Sequence, residues 1–165
     1  MNEQIIDKNI TTALAENEAD IIKNRSWSNY DNSVFYEKIN LKDMKEFAAK
    51  GGLLTSCDVK RSKPYWSDAS SIFEVGAGYG RVIHALLENG FSGKITAIER
   101  SNTLFRNLQR QCPDNVRLLH ADIHSCHNIN DTFDVILFLW SGIQDFSPEE
   151  QQKIIRNLAK LLNKG

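Results

Sequence analysis

The sequence is poor in the features that mark several specialised classes of protein. It has three cysteines among 165 residues, at no metal-like spacing, so reduced thiols are expected rather than a disulfide framework. No apolar run approaches the roughly 18 residues of a membrane-spanning helix, which excludes such a span. The net charge of -1 leaves no basic footprint for nucleic acid or an anionic membrane. The opening segment MNEQIIDKNITTALAENEAD is acidic and lacks a basic-then-apolar run, so we expect no secretory signal and a cytoplasmic location.

The composition that remains is ordinary for a globular domain. Charged residues make up 25% of the chain and hydrophobic residues 41%, and 165 residues suffice for one domain with a sizeable core. The pattern along the chain changes once. We therefore expect an N-terminal helical or lid segment over residues 1–68 and a core over residues 69–165.

The N-terminal segment contains two helical patterns. Apolar residues at helical spacing predict one amphipathic helix that extends to about Arg25. A shorter helix is predicted over residues 41–50, ended by glycines at 51 and 52. Residues 53–71, which include Pro64 and several small polar residues, indicate an irregular connector.

The core has a regular alternation of short apolar runs and helical segments. Strands that alternate with helices of about ten residues predict an α/β fold, a Rossmann-like doubly wound parallel sheet with helices on both faces. The nearly continuous apolar run DVILFLW predicts a fourth strand buried on both sides. The strands are expected at 72–75, 94–99, 115–121 and 133–140, and the helices between them at 81–90 and 101–111.

A last helix is predicted near the end of the sequence. Ser147 is placed to be its N-cap, Pro148 its first residue, and Glu150 the second half of a capping box. Its expected apolar face comprises Ile154, Ile155, Leu158, Leu161 and Leu162.

The first strand leads into a turn with three alternating glycines, in the segment FEVGAGYGR. A dinucleotide-binding turn has the form G-x-G-x-x-G, but Arg81 stands where its third glycine belongs. Glu74, two residues before Gly76, is costly to bury unless it meets a donor, which a ligand ammonium group would supply. This pattern disfavours a dinucleotide cofactor, and a dehydrogenase is kept only as an alternative.

Two further acids follow the next two strands. Glu99 ends the second strand, where an acid can accept hydrogen bonds from both ribose hydroxyls. Asp122 follows the third strand, where its carboxylate can accept from the adenine amine while the N–H of Ile123 reaches a ring nitrogen. The glycine turn lacks the lysine of a P-loop. Together these features indicate a nucleoside that carries an ammonium group and no phosphates.

The segments FEVGAGYGR, ITAIERS, HADI and FDVILFLW resemble, in order and spacing, the successive motifs of class I S-adenosylmethionine-dependent methyltransferases. The resemblance covers about residues 72–165 and implies S-adenosyl-L-methionine as the cofactor. In that family the first motif lines the methionine part, and the later acids bind ribose and adenine. The cofactor-binding residues implied by motif position are Glu74, Gly76, Ala77, Gly78, Gly80, Glu99, Arg100, Asp122, Ile123 and Leu139.

The family chemistry does not require a catalytic side chain. Methyl transfer from a sulfonium is a direct displacement, so the protein chiefly positions and desolvates the reactants. If the acceptor needs a base, the candidates are Tyr30, Trp140 and Asp145, and Tyr36 lies in a segment that loosely resembles the lid of some small-molecule methyltransferases. Packing is the simpler role for the aromatic residues, and starting a turn is the simpler role for Asp145.

No metal site is expected. The cluster of His120, His124, Cys126 and His127 has ligand types that zinc prefers, but it lacks a matching second pair. Asp122, which lies within this cluster, is expected to bind the adenine instead of a metal ion.

The resemblance implies a methyltransferase that acts on a small molecule or another exposed nucleophile. The alternative is a non-catalytic module that binds S-adenosylmethionine or a partner protein. The family's sheet has about seven strands, so roughly three would be missing here; we expect a fragment or, alternatively, an oligomer or partner chain that covers the exposed fourth strand. A small-molecule substrate is the expected partner, without nucleic acid or a membrane.

Overall fold

The computed structural model of the chain describes residues 33–140 and 142–164. These residues belong to one compact unit. The predicted helix up to Arg25 and the candidate Tyr30 lie outside the described residues. None of the helices that are described is long and apolar enough to cross a membrane.

The described residues form one sheet of four parallel strands in the order β3-β2-β1-β4. The register places Glu74 opposite Ala97, and Glu99 opposite His120. Because all strands run in the same direction, their carboxyl ends meet at one edge, which we call the carboxyl edge. The predicted Rossmann-like parallel sheet is confirmed. Its strands are β1 (Ser71–Val75), β2 (Lys94–Glu99), β3 (Val116–His120) and β4 (Val135–Leu137).

The predicted helices of the core are confirmed with small shifts at their ends. Ser101 caps α6 by accepting the Leu104 N–H, and Ser147 and Glu150 form the predicted capping box of α7. The α-helices in the described part of the chain are α1 (Ser33–Lys38), α2 (Leu41–Lys50), α3 (Cys57–Arg61), α4 (Lys63–Trp66), α5 (Arg81–Glu88), α6 (Asn102–Gln111) and α7 (Pro148–Ala159). Within the described ranges, two 3-10 helices cover Ile123–Asn128 and Gly142–Asp145.

Apolar layers cover both faces of the sheet, as predicted. Side chains alternate along β1, so Ile72 packs in one layer with α5 and Phe73 packs in the other with α7. Ile83 of α5 and Ile154 of α7 are both almost fully buried. Burial of these two layers supplies the main driving force for folding and fixes the carboxyl edge in place.

The connector predicted over residues 53–71 is wrong, because this segment forms α3 and α4. Pro64 lies in the first turn of α4, where its fixed φ and missing N–H fit a helix. Trp66 is 1% exposed, and its Nε1 donates to the carbonyl oxygen of Val59 at 3.1 Å. The segment therefore packs into the core.

The fourth strand is shorter and less buried than predicted. β4 covers three residues, Phe133 forms only an isolated parallel bridge with Leu162, and Trp140 has left the extended conformation, with φ at 59°. β4 pairs with β1 on one side and lies at the edge of the described sheet. Val135 and Ile136 are therefore half-buried, and the prediction of a strand buried on both sides is wrong.

The apolar face predicted for the last helix is only partly buried. Ile154, Leu158 and Leu161 pack in the core, whereas Ile155 and Leu162 are 56% and 41% exposed. Ile155 follows Ile154 directly, and successive residues of a helix point about 100° apart. Placing both on the buried face was therefore wrong.

Candidate functional site

The glycine turn after β1 has a backbone conformation that favours glycine. Gly76, Gly78 and Gly80 have φ values of 72°, 57° and 85°. A Cβ at Gly80 would lie 2.7 Å from Cδ1 of Leu108, so a larger residue there would have to displace that side chain as well as adopt a positive φ. A Cβ at Gly76 would meet no protein atom within 4 Å. Gly76 therefore faces open space in which a ligand can approach the backbone.

Glu99 ties the end of β2 to the glycine turn. Its carboxylate accepts the N–H of Gly78 at 2.8 Å and the N–H of Ser101 at 2.7 Å. The residue is 6% exposed, and burial raises the pKa of Glu99 although these two N–H donors act in the opposite direction. Each carboxylate oxygen can accept more than one hydrogen bond, so Glu99 keeps capacity for donors such as a pair of hydroxyls.

Glu74 is a buried carboxyl group with an unsatisfied oxygen. It is 3% exposed, and its Oε2 has no hydrogen-bond partner among the described residues. Burial raises the pKa of Glu74 to about 8, partly opposed by Arg81 and reinforced by Glu99. Arg81 does not satisfy it, because its guanidinium pairs with both oxygens of Asp58 at 2.7 and 2.6 Å. Such an oxygen calls for a donor from outside the protein.

Asp122 stands at the end of β3 beside a cavity of about 300 Å³. Its Oδ1 accepts the N–H of His124 at 2.8 Å and caps the following 3-10 helix. Its Oδ2 lies 3.6 Å from the guanidinium of Arg100. Burial acts to raise the pKa of Asp122, but the hydrogen bonds from His124, together with the charges of His124 and Arg100, outweigh it and lower the pKa. The cavity is lined by Glu37, Arg100, Ser101, His120, Ala121 and Asp122.

Helix α1 contacts this same edge through Tyr36, which the sequence marked, and through Glu37, which it did not. The Ser101 hydroxyl donates to the carbonyl oxygen of Tyr36 at 2.9 Å, and Glu37 accepts the Asn102 N–H at 2.7 Å. The Tyr36 hydroxyl donates to Oδ2 of Asp145 at 3.0 Å. Tyr36 and Asp145 are 109 positions apart, so no local pattern could have paired them.

The other candidate residues have mixed surroundings. Trp140 is half-buried, with its ring 5.6 Å from Phe47 and 6.0 Å from the guanidinium carbon of Arg81. Its positive φ is unusual for a bulky residue and is common near functional sites. Leu139 follows β4 and packs against the α5 layer, while Ile123 is buried at the start of its 3-10 helix.

Metal ligands are not grouped in the part of the chain that the structure describes. No three histidine, cysteine, aspartate or glutamate side chains there are arranged to hold an ion. His120 stacks on Phe105 at 4.6 Å, Cys126 is buried, and Nδ1 of His124 lies 2.6 Å from Asp122.

A comparison with models of protein families shows the family of the chain. A family model described as a methyltransferase domain matches residues 72–165, more than half of the chain. The chain belongs to the S-adenosylmethionine-dependent methyltransferases. No curated protein matches it.

Solved methyltransferase structures share the fold of this methyltransferase chain. The sugar N-methyltransferase KedS8 from a Streptoalloteichus species has a TM-score of 0.62 and 17% identity, over 75% of this chain and 50% of its own. The amino pentose methyltransferase CalS10 from Micromonospora echinaspora, solved with S-adenosylmethionine, has a TM-score of 0.56 and 19% identity, over 67% of this chain and 45% of its own. The glycopeptide N-methyltransferase MtfA, also solved with S-adenosylmethionine, has a TM-score of 0.58 and 16% identity, over 66% of this chain and 50% of its own. The chain thus spans about half the length of these proteins.

Proposed function

We propose that this chain binds S-adenosylmethionine at the carboxyl edge and transfers its methyl group to a small-molecule nucleophile. The observation that carries the proposal is the unsatisfied carboxyl oxygen of Glu74. Its buried, unpartnered oxygen needs a donor, and the ammonium group of the methionine part supplies one. The open space beside Gly76 supports the same placement, because a backbone without Cβ allows a ligand to approach closely.

The remaining residues are assigned along the same edge. Glu99 accepts the ribose hydroxyls, while Asp122 and the N–H of Ile123 bind the adenine in the cavity beside Arg100. Ala77, Gly78 and Gly80 shape the turn, and the backbone of Leu139 lines the methionine end. The cofactor, when bound, supplies a methyl group on a sulfonium. The chain's own task is to hold the reactants in line and to exclude water.

The domain division and the acceptor class also belong to this proposal. We assign residues 1–68 as an N-terminal helical or lid segment and residues 69–165 as the core. Within the described residues, the contacts of α1 with Ser101 and Asp145 support this assignment. The similar structures are named as methyltransferases of an amino pentose, a sugar and a glycopeptide, which supports a small acceptor with an exposed nucleophile.

A second candidate is a non-catalytic module that binds the cofactor or a partner chain. It is favoured by the open side of β4 in the described sheet and by the exposure of Ile155 and Leu162. Turnover separates the two candidates. We would incubate the full chain with methyl-labelled S-adenosylmethionine and a panel of amines, alcohols and thiols, and measure S-adenosylhomocysteine.

Acceptor-dependent release of S-adenosylhomocysteine supports the enzyme. Binding of S-adenosylmethionine without turnover on any acceptor supports the module. Absence of cofactor binding in a folded sample would contradict both candidates.

A further inference from the structure

Tyr36 spans the carboxyl edge from the end of β2 to the segment after β4. Its carbonyl oxygen accepts from Ser101, directly beyond β2, and its hydroxyl donates to Asp145, beyond β4. β1 lies between these two strands. The two hydrogen bonds of Tyr36 therefore connect the segments that follow the two neighbours of β1, and Tyr36 packs in the same cluster as Tyr79 of the glycine turn.

Asp145 brings a negative charge to this position. It is half-buried, and none of the ion pairs in the described residues includes it. The nearby cations have other contacts: Arg81 pairs with Asp58, and Arg100 lies over the Tyr36 ring and near Asp122. A carboxylate held by a neutral phenol beside aromatic rings favours a cationic ligand.

The surroundings are apolar as well as acidic. Tyr36 and Trp140 pack with Tyr79 against a small buried cluster formed by Ile39, Met44 and Leu104. These side chains exclude water, and a charge-assisted hydrogen bond to Asp145 is stronger where water is excluded. An anionic acceptor, by contrast, would meet repulsion from Asp145 and from Glu99.

We propose that Asp145, oriented by the Tyr36 hydroxyl, binds the reacting nitrogen of an amine acceptor and takes a proton from it. This inference rests on the proposed function and names the substrate class of the same site. The protonated amine first donates a hydrogen bond to the Asp145 carboxylate. One N–H proton then passes to Asp145, and the freed lone pair forms the bond to the methyl carbon as the carbon–sulfur bond breaks. The products are a methylated ammonium and a neutral thioether, and Asp145 returns its proton to solvent.

A base role for the Tyr36 phenol and an alcohol acceptor both fit the Tyr36–Asp145 pair less well. Burial and then the neighbouring Asp145 raise the pKa of Tyr36 well above its ordinary value, so the phenol keeps its proton and serves as a positioning residue. An alkylammonium has a pKa of about 10.4, whereas water has one of about 15.7. A carboxylate can therefore deprotonate an amine acceptor at far lower free-energy cost than an alcohol.

The test uses the full chain loaded with S-adenosylhomocysteine and two probes of matched shape, cyclohexylamine and cyclohexanol. Saturation-transfer NMR measures their binding to the wild type and to Asp145→Asn and Tyr36→Phe. Asp114→Asn is the control, because Asp114 is exposed and precedes β3 at the opposite edge of the sheet. We expect cyclohexylamine to bind in preference to cyclohexanol, and Asp145→Asn to weaken the amine by about tenfold, as loss of a charged hydrogen bond predicts.

Tyr36→Phe should reduce the preference for the amine while the variant still binds S-adenosylhomocysteine, a result that a purely structural role would not give. Asp114→Asn should behave as the wild type. Equal binding of the two probes, binding of neither, or unchanged amine binding in Asp145→Asn would overturn the inference. Failure of the wild type to bind S-adenosylhomocysteine would instead overturn the proposed function, so the two failures are distinguishable.

Discussion

The carboxylate of Glu99 accepts the backbone N–H of Gly78 at 2.8 Å and so joins the end of β2 to the glycine turn after β1. Its second oxygen accepts the N–H of Ser101, whose hydroxyl in turn donates to Tyr36. The acid that we assign to the ribose is therefore also part of the scaffold of the turn and of the contact with α1.

Replacing Glu99 with alanine should affect both binding and folding. Two buried N–H groups lose their acceptor, so we expect the free energy of unfolding to fall by about 1 to 3 kcal/mol. Affinity for S-adenosylhomocysteine should fall by a similar amount, about 1 to 3 kcal/mol, because the ribose also loses its acceptor. Urea unfolding and titration calorimetry measure the two effects. An unchanged affinity would remove Glu99 from the cofactor site.

Gly76 and Gly52 offer a matched pair of substitutions. Their φ values are 72° and 73°, and a Cβ at either position would meet nothing within 4 Å. Gly76→Ala and Gly52→Ala should therefore each destabilise the fold by roughly 1 to 2 kcal/mol through left-handed backbone strain. Only Gly76→Ala should weaken binding of S-adenosylhomocysteine, because only its Cβ enters the proposed site. If both variants bind like the wild type, the ligand does not approach Gly76.

Asp122 should separate its capping role from its ligand role. Asparagine is as good an N-cap as aspartate, so Asp122→Asn should keep most of the stability, whereas Asp122→Ala should lose about 0.5 to 2 kcal/mol. Affinity for S-adenosylhomocysteine should fall by about 1 to 3 kcal/mol in Asp122→Ala, because the adenine amine loses its acceptor. Thermal unfolding and calorimetry distinguish the two effects. A stability loss without any change in affinity would leave Asp122 with a capping role alone.

Glu74 should make cofactor binding depend on pH. Burial raises the pKa of the ligand-free carboxyl to about 8, so it is mostly protonated at neutral pH. An ammonium ligand favours the ionised form, so binding at neutral pH should release a proton, and affinity should increase as pH rises towards 8. Calorimetry in two buffers of different ionisation enthalpy detects the proton. Glu74→Gln should abolish the dependence on buffer, and a wild type that releases no proton would contradict the assignment.

The same group affects the stability of the ligand-free protein. Its folded pKa of about 8 lies above the ordinary value of 4.5, so its contribution to stability is complete below pH 4.5 and is lost as pH rises through 8. Between these values, the wild type should lose more stability with rising pH than Glu74→Gln does. Denaturant unfolding at several pH values measures this difference.

The features that the sequence predicts well are local ones. The capping box of Ser147 and Glu150 and the apolar runs of β1 and β2 are set by residues within a few positions of each other. Position in a parallel sheet then brings Glu74, Glu99 and Asp122 to strand ends at one edge. Their roles towards the cofactor stay predictions.

The features that the sequence does not predict depend on distant partners. β4 is a three-residue strand at the edge of the described sheet, and α3 and α4 place Trp66 in a buried position. The hydrogen bond between Tyr36 and Asp145 joins residues 109 positions apart, and neither residue carries a signal for the other in its own segment. Such contacts emerge only once the sheet has placed its strand ends together.

Titration calorimetry of the full chain with S-adenosylmethionine, S-adenosylhomocysteine and NADH is the most direct test of whether the carboxyl edge binds S-adenosylmethionine. We expect saturable heat with the first two ligands, weaker binding in Gly76→Ala but not in Gly52→Ala, and no heat with NADH. A folded wild type that gives no heat with either S-adenosyl ligand, or that binds NADH instead, would contradict it.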